Sequence, residues 1–474
     1  MNLRHFWAFL AVALPVLAAL LATLPATDLA YHLRAGAEIL DTGRIPETDS
    51  WTFTANGLPW VDQQWGAQVL LTLVYRIGGW VGLVVLRAAL VGLIFSALLE
   101  LCRRQGIGLR LASWLTLAAF VVASPALALR PQLLGMALFA VTLLLVMDRE
   151  AHPRRLWLIP LITLAWANIH GSFFLAPAVL ALAWLADLGQ TGRERHLALV
   201  VGAVSTIAAC VTPFGPAVWA YAVGLGVNPE VTQRITEWQP TSLRTVPGIA
   251  FYASAMLVAA FLARRDRRAP WAALAWLAFF FMIGAYAERG IAWWPLGAVA
   301  VLATLIGSRP MVAPARTDPP VIRRTNATIA TLLVLAGIVL LPVWRPTDPN
   351  LAAPTGVLSQ APAEITGELR RLAQPGDRLF NPQRWGSWFE FALPELPVAI
   401  DSRIELFPPE TWDEYVRIES GSPGWEATLA EWDVTIIVVD GATDAPFAQR
   451  LEAAGWQRAY TRADGTILIR PDQS

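Results

Sequence analysis

Apolar, uncharged stretches about as long as a bilayer is thick recur along this chain from residue 6 to residue 343. In hydrocarbon every backbone N–H and C=O must be paired within the segment, so a run of about 20 such residues has the helix as its spanning form. Candidate spans fall at 6–25, 80–101, 111–128, 133–148, 156–168, 172–188, 197–212, 247–263, 270–286, 291–308 and 326–343, about eleven in all. The stretches 66–77 and 214–226 are shorter and amphipathic, and read as interfacial helices. The first run is longer than the apolar core of a signal peptide and many spans follow it, so it reads as a transmembrane helix. Only 15% of the 474 residues are charged and 55% are hydrophobic, which is outside the range of a soluble domain of this size.

All 36 basic residues are arginine, and the formal net charge is zero. No basic footprint for nucleic acid is present. The avoidance of lysine reads as the base composition of a high-GC bacterium, which would place the chain in a bacterial inner membrane. With the N-terminus in the cytoplasm, the inner segments carry Arg4, Arg103, Arg104, Arg110, Arg149, Arg154, Arg155, Arg193, Arg195, Arg264, Arg265, Arg267, Arg268, Arg309, Arg316, Arg323 and Arg324. The outer segments before residue 344 carry Arg34, Arg44, Arg76, Arg130, Arg234, Arg244 and Arg289. The excess has the direction of the positive-inside rule, and an odd number of spans then puts the C-terminus outside. Cys102 and Cys210 have neither metal-ligand spacing nor a disulfide framework around them.

In this orientation Asp28, His32, Asp49, Asp62, Gln132, Asn168, His170, Glu237 and Glu288 all fall at outer ends of spans or in outer loops, so chemistry is expected there. After Pro25 and Thr27 a helix can run from Asp28 to about Asp41, with Gly43 as its stop and Pro46 beyond. Leu29, Leu33, Gly36 and Leu40 form its apolar stripe, while Arg34, Glu38 and Asp41 form a solvated one. Asp28 and His32 share a third face, one turn apart. A carboxylate so placed can take a proton from a hydroxyl, with the imidazole orienting it. The same residues also suit a plain helix cap and an interfacial histidine.

The stretch DLAYHLRAGAEILDTGRIPETDSWTFTANGLPWVDQQWGAQVL, residues 28–70, resembles the first outer loop of GT-C membrane glycosyltransferases, closest to the branches of the protein mannosyltransferases and lipopolysaccharide-sugar transferases. LRPQLL (129–134), NIHGSF (168–173), TPFG (212–215), ITEWQP (235–240) and ERGIAWW (288–294) fit the same type. The resemblance implies a helical membrane domain whose catalytic acid follows the first span, here Asp28. It also implies a polyprenyl-phosphate-linked sugar donor and a site on the non-cytoplasmic side. Many members carry a second acid directly after the first, where this chain has Leu29.

Several charges ask for a reason. Arg289 opens a late span behind Glu288 and either anchors at the interface or, as the resemblance implies, binds the lipid phosphate, for which arginine's planar fork suits. Arg87 lies inside the span WVGLVVLRAALVGL, where an isolated charge costs roughly 2.5–3.5 kcal/mol, so it should face protein or a wet cavity, pairing with an outer-face acid or meeting the donor phosphate, unless it snorkels. Arg130, Glu237, His170 and Asp62 are further candidates for substrate binding; His170 equally suits a satisfied structural histidine. Trp51, Trp60 and Trp65 read as an interfacial belt or as platforms for sugar rings. Asp28, His32, Asp62 and His170 are of metal-ligand type, but no spacing enforces a metal site, and a divalent metal stays open.

From about Trp344 the composition becomes that of an ordinary soluble domain. The expected organisation is a transmembrane domain over 1–343 with its first outer loop at 25–79, a proline-rich linker at 344–360, and an extracytoplasmic domain over 361–474. DRLF, PVAID, TIIVVD, QRAYT and TILIR read as strands; GSWFEFAL, PETWDEYVRIES, GWEATLAEW and APFAQRLEAAG read as helices, together a small α/β sheet. Asp401 and Arg403 read either as substrate neighbours with Trp385 or as a pair at a strand end. The whole reads as an α-helical polytopic membrane protein with a small C-terminal α/β domain, acting as a glycosyltransferase on a glycan, lipid or protein acceptor. A transporter or flippase of lipid-linked glycans and a non-catalytic assembly protein are the alternatives.

Overall fold

The computed structural model describes residues 1–189, 193–307, 318–441 and 445–471. Arg309 and Arg316, and the side chain of Arg193, lie outside what is described. The chain forms two compact units, Met1–Ala22 with Val84–Leu341, and Thr23–Leu83 with Pro342–Ser474.

Among the described residues six helices are long and apolar enough to cross a membrane: Leu3–Leu21, Trp65–Arg104, Leu109–Ala126, Val246–Ala263, Glu288–Ile306 and Pro320–Val339. Shorter apolar helices occupy Pro131–Met147, Gly171–Asp187, Leu197–Ala208, Ala217–Val227 and Trp271–Tyr286. The run at 156–168 divides into a 3-10 turn, Pro153–Leu158, and a nine-residue helix, Ile159–Ala167; a proline starts each, since it lacks the N–H that a helix interior needs. The stretch 66–77, expected as a separate interfacial helix, is the start of the 40-residue helix Trp65–Arg104, which kinks at Gly79 (φ 55°, ψ −152°).

In the first unit, 72% of the apolar window of Glu288–Ile306 is buried, against 6% for Pro320–Val339. The first is an inner helix, and the second turns apolar residues outward on nearly every side, a surface suited to hydrocarbon. Small residues let helices approach closely. A Cβ at Gly297 would meet the Phe280 ring at 2.4 Å, and one at Gly284 the Phe251 ring at 2.5 Å. Arginines at helix ends pair with acids across helices. Asp148, 8% exposed, accepts from Arg104 at 2.6 Å and Arg155 at 3.2 Å, and Arg149 pairs with Asp187 at 2.7 Å.

In the second unit a helix spans Ala26–Thr42 and stops at Gly43, whose φ of 69° is the left-handed conformation of a helix C-cap. It buries Ala26, Leu29, Ala30, His32, Leu33, Ala35, Gly36 and Ile39, a wider face than the expected stripe, of which Leu29, Leu33 and Gly36 are buried and Leu40 only partly so. Two neighbours account for the wider face. The helix Gln383–Ala392 packs against it, and so does the start of Trp65–Arg104, where Thr72 Oγ1 donates to the Leu33 carbonyl at 3.1 Å. The sheet runs in the order Leu379–Phe380, Ile436–Asp440, Gly465–Ile469, Gln457–Arg462, the first pair parallel and the others antiparallel. PVAID forms no strand; Val398 makes single bridges to Leu379 and Thr52. Leu24–Pro25 pairs in parallel with Leu358–Ser359, so the first loop is stitched to the C-terminal segment by main chain as well as by side chains.

At Gly36 the helix Ala26–Thr42 lies closely on the start of Trp65–Arg104: a Cβ there would lie 2.3 Å from both the Gln68 carbonyl oxygen and Thr72 Oγ1. The main-chain atom cannot rotate away, so Gly36→Val overpacks the contact, at a cost of about 1–3 kcal/mol. A lowered thermal midpoint of the detergent-solubilised protein is expected, and an unchanged midpoint would show that the two helices separate freely.

Candidate functional site

The first unit contains a cleft of about 540 Å³, its mouth included, lined by Arg130, Gln132, Glu237, Glu288 and Arg289 with an apolar wall of Val122, Pro247 and Ile291. Its polar residues all stand at ends of helices or in short turns. Arg130 caps the helix Pro131–Met147 in an extended conformation, as the following proline favours. Glu237 and Trp238 belong to the 3-10 turn Thr236–Trp238, while Glu288 and Arg289 open the turn Glu288–Ala292. The two turns are tied by a hydrogen bond from the Glu288 N–H to the Gln239 carbonyl at 3.0 Å.

Within the cleft, Nη1 of Arg130 donates to both carboxylate oxygens of Glu237, at 2.8 and 2.9 Å. Arg289 is held by Gln132, a residue 5% exposed: its Nε donates to Gln132 Oε1 at 3.1 Å, and the Gln132 amide donates to the Arg289 carbonyl at 3.2 Å. The Arg289 guanidinium lies 5.6 Å from the Trp238 ring centroid. Three expected site residues, Arg130, Glu237 and Arg289, are thus brought together. Gln132 and Trp238 were given no role from the sequence. The partners of Gln132 lie 157 residues away, and no local pattern marks such a contact.

The other two candidates in this unit are placed elsewhere. Arg87, 1% exposed, donates to the Ala22 carbonyl. His170 precedes the 3-10 turn Gly171–Phe174 and caps it, Nδ1 accepting from the Ser172 N–H at 3.1 Å. A Cβ at Gly135 would meet Trp166 Nε1 at 2.8 Å and Ser172 Oγ at 3.0 Å, so the turn sits closely on its neighbouring helix.

In the second unit Asp28 lies half-buried in the first turn of Ala26–Thr42. Thr27 beside it is held by the C-terminal segment, its hydroxyl donating to Gln360 Oε1 at 2.5 Å and its carbonyl accepting from Ser402 Oγ at 3.3 Å. His32, one turn on, is 2% exposed, and its ring centroid lies 4.0 Å from that of Tyr31. The expected open Asp28–His32 face is therefore closed at the histidine end. Among the described residues no three histidines, cysteines or acids are grouped so as to hold a metal ion.

Four buried charged residues of this unit, Asp49, Glu390, Asp401 and Arg403, gather in one cluster around Arg403, itself 1% exposed. Its Nη2 donates to Asp49 Oδ1 at 2.7 Å and to Asp401, its Nε to Asp401 Oδ2 at 2.8 Å, and Glu390 stands 3.5 Å away. The guanidinium lies 4.4 Å from the Trp51 ring and 4.6 Å from Trp60. The two tryptophans therefore face a cation inside the protein. The reading of Asp401 and Arg403 as a pair holds, and Asp49 and Glu390 join it. Burial, then the charge of Asp401, pushes the Glu390 carboxyl well above its usual range, against the pull of Arg403. Asp62 is 3% exposed and accepts from Gln68 Nε2 at 2.7 Å. Burial raises its carboxyl to about 7, the Gln68 hydrogen bond opposing.

No protein-family profile and no curated protein matches this chain. Solved structures do. It is similar to the archaeal oligosaccharyltransferase AglB from Archaeoglobus fulgidus, in complex with an inhibitory peptide and a dolichol-phosphate, with a TM-score of 0.57 and 12% identity over 92% of this chain and 69% of that one. It is similar also to ArnT from Cupriavidus metallidurans bound to undecaprenyl phosphate, with a TM-score of 0.52 and 16% identity over 97% of each chain. At such identities the likeness is one of fold. The chain resembles these GT-C transferases over nearly its whole length, as its first outer loop implied.

The buried Asp62 gives a pH test. Its carboxyl keeps a proton to about pH 7 in the folded chain, but only to about pH 4 when unfolded. The folded state thus holds the extra proton between these values, so the contribution of Asp62 to stability is full below about pH 4 and is lost as pH rises through 7. Thermal midpoints measured from pH 5 to 8 should fall less steeply in Asp62→Asn than in the parent; equal slopes would show that Asp62 is ionised in the fold.

Proposed function

We propose that this protein is an integral membrane glycosyltransferase that moves a sugar from a polyprenyl-phosphate donor to an acceptor hydroxyl at the extracytoplasmic face of a bacterial inner membrane. The observation that carries the reading is the cleft of Arg130 and Arg289 in a fold resembling two structures that hold a lipid phosphate. Fixed guanidinium groups suit an anionic leaving group because their charge needs no reorganisation as the bond to the sugar breaks. The flippase reading has less support. It calls for charge or broken helices near the midplane, whereas the buried charge of Arg87 is directed to the Ala22 carbonyl.

In this reading Asp28 is the base. The acceptor oxygen forms its bond to the anomeric carbon as that carbon's bond to the phosphate oxygen breaks. The electron pair leaves with the lipid phosphate, and the acceptor proton passes to the Asp28 carboxylate. His32, buried one turn away, positions the helix and its acid. Arg289, held by Gln132, meets the phosphate, with Arg130 and Glu237 beside it. The contacts of Arg87, His170 and Asp62 suit them to holding the fold.

Asp28→Asn keeps size and removes the base. Sugar transfer from a polyprenyl-phosphate donor by purified protein in nanodiscs should fall by roughly 10²–10⁴-fold, the usual worth of a general base, with the thermal midpoint unchanged. Full turnover in this variant would end the assignment. The orientation is tested separately. Cysteine introduced at the exposed Glu395 should react with an impermeant reagent from the outer side, and cysteine at the exposed Asp266 only after the cytoplasm is opened; the reverse pattern would overturn the topology.

A further inference from the structure

A single short turn meets both arginines of the cleft. In Thr236–Trp238, Glu237 places both carboxylate oxygens on Nη1 of Arg130, and Trp238 places its ring beside the Arg289 guanidinium. The carboxylate takes the position on Arg130 that a phosphate oxygen would take, with the same charge-assisted geometry. Arg289 is tethered differently, through its Nε and its main-chain carbonyl to the buried amide of Gln132, contacts that fix the side chain without spending an acid on it. The two arginines therefore stand in different states, one neutralised by an anion of the protein and one held by a neutral amide.

We propose that Glu237 is a resident competitor of the lipid phosphate for Arg130, so that phosphate enters by displacing this carboxylate and the carboxylate's return favours its release. The inference rests on the reading of the cleft as the phosphate site. The pair is suited to such exchange. Glu237 is 44% exposed and Arg130 23%, and a pair as open as this is weakly held in water. Once displaced, Glu237 would face a phosphate of like charge, with Glu288 on the same wall of the cleft.

The test is equilibrium binding of undecaprenyl phosphate to the full-length protein in nanodiscs, for the parent, Glu237→Gln, Arg130→Gln, the double variant and Arg289→Gln. Glu237→Gln should bind about two- to fivefold more tightly, the range an open ion pair accounts for, and this gain should vanish in the double variant, which lacks the contested cation. A gain in affinity is not what structural damage produces, and thermal midpoints would check folding. Weaker or unchanged binding in Glu237→Gln, with Arg130→Gln and Arg289→Gln both impaired, would overturn the competition and reduce Glu237 to a support for Arg130. Unchanged binding in both arginine variants would instead remove the cleft as the phosphate site.

Discussion

Arg403 is the charge around which the second unit is assembled. Removing a guanidinium from water costs several kcal/mol unless it is paired with acids and hydrogen-bonded. Here its edge serves Asp49, Asp401 and Glu390, and the rings of Trp51 and Trp60 lie against it. Lysine would supply the charge without the planar fork or the stacking faces. Burial and the charge of Asp401 push Glu390 toward its neutral form, and Asp49 and Asp401 are the carboxylates that accept from Arg403. Arg34 supplies a second cation, 4.7 Å from the Trp51 ring and bonded to the Glu390 carbonyl at 2.8 Å. The cluster so balances that no net charge need be buried. Four of its members, Arg34, Asp49, Trp51 and Trp60, lie in the first loop, and Glu390, Asp401 and Arg403 lie more than 300 residues later.

The first unit obeys the opposite rule. Its helices carry little charge along their length, and its ionisable groups gather at helix ends, where water or another end group can pair them. The cleft of Arg130 and Arg289 follows from this. Turns and caps supply main-chain direction and side-chain charge together, which helix interiors in hydrocarbon cannot. An anion bound there meets cations already fixed by a proline-restricted cap and by an amide clasp.

What the sequence made legible follows from range. The helix at 26–42 was readable because a proline, an apolar repeat and a terminal glycine are local signals. Most of the strands and helices of the C-terminal segment were readable from alternation and length. Arg130, Gln132, Glu237, Glu288 and Arg289 were readable as polar residues at the ends of apolar runs, though not as one another's partners. The pairing of residues 23–83 with 342–474 was not, since it rests on contacts such as Arg403 with Asp49 that no periodicity encodes. The burial of His32 was likewise not legible, since its helix is covered by Gln383–Ala392 and the start of Trp65–Arg104, which no local pattern brings to it. Gln132 looked like one polar residue among several until its amide was found on Arg289. The run at 156–168 reads as one apolar stretch in the sequence, because composition counts apolar residues but not where prolines restart the turn.

The order of synthesis gives the Arg403 cluster a temporal meaning. Asp49, Trp51 and Trp60 are made early, and residues 84–341 must follow before the segment bearing Arg403 exists. Throughout that interval Asp49 lacks its Arg403 partner, and Trp51 and Trp60 lack the guanidinium that lies against them in the fold. The second unit therefore cannot be completed until residues 84–341 have been made. A chain released early would keep its spans yet present an unfinished loop with exposed aromatic rings, a feature by which quality control could tell it from the finished protein.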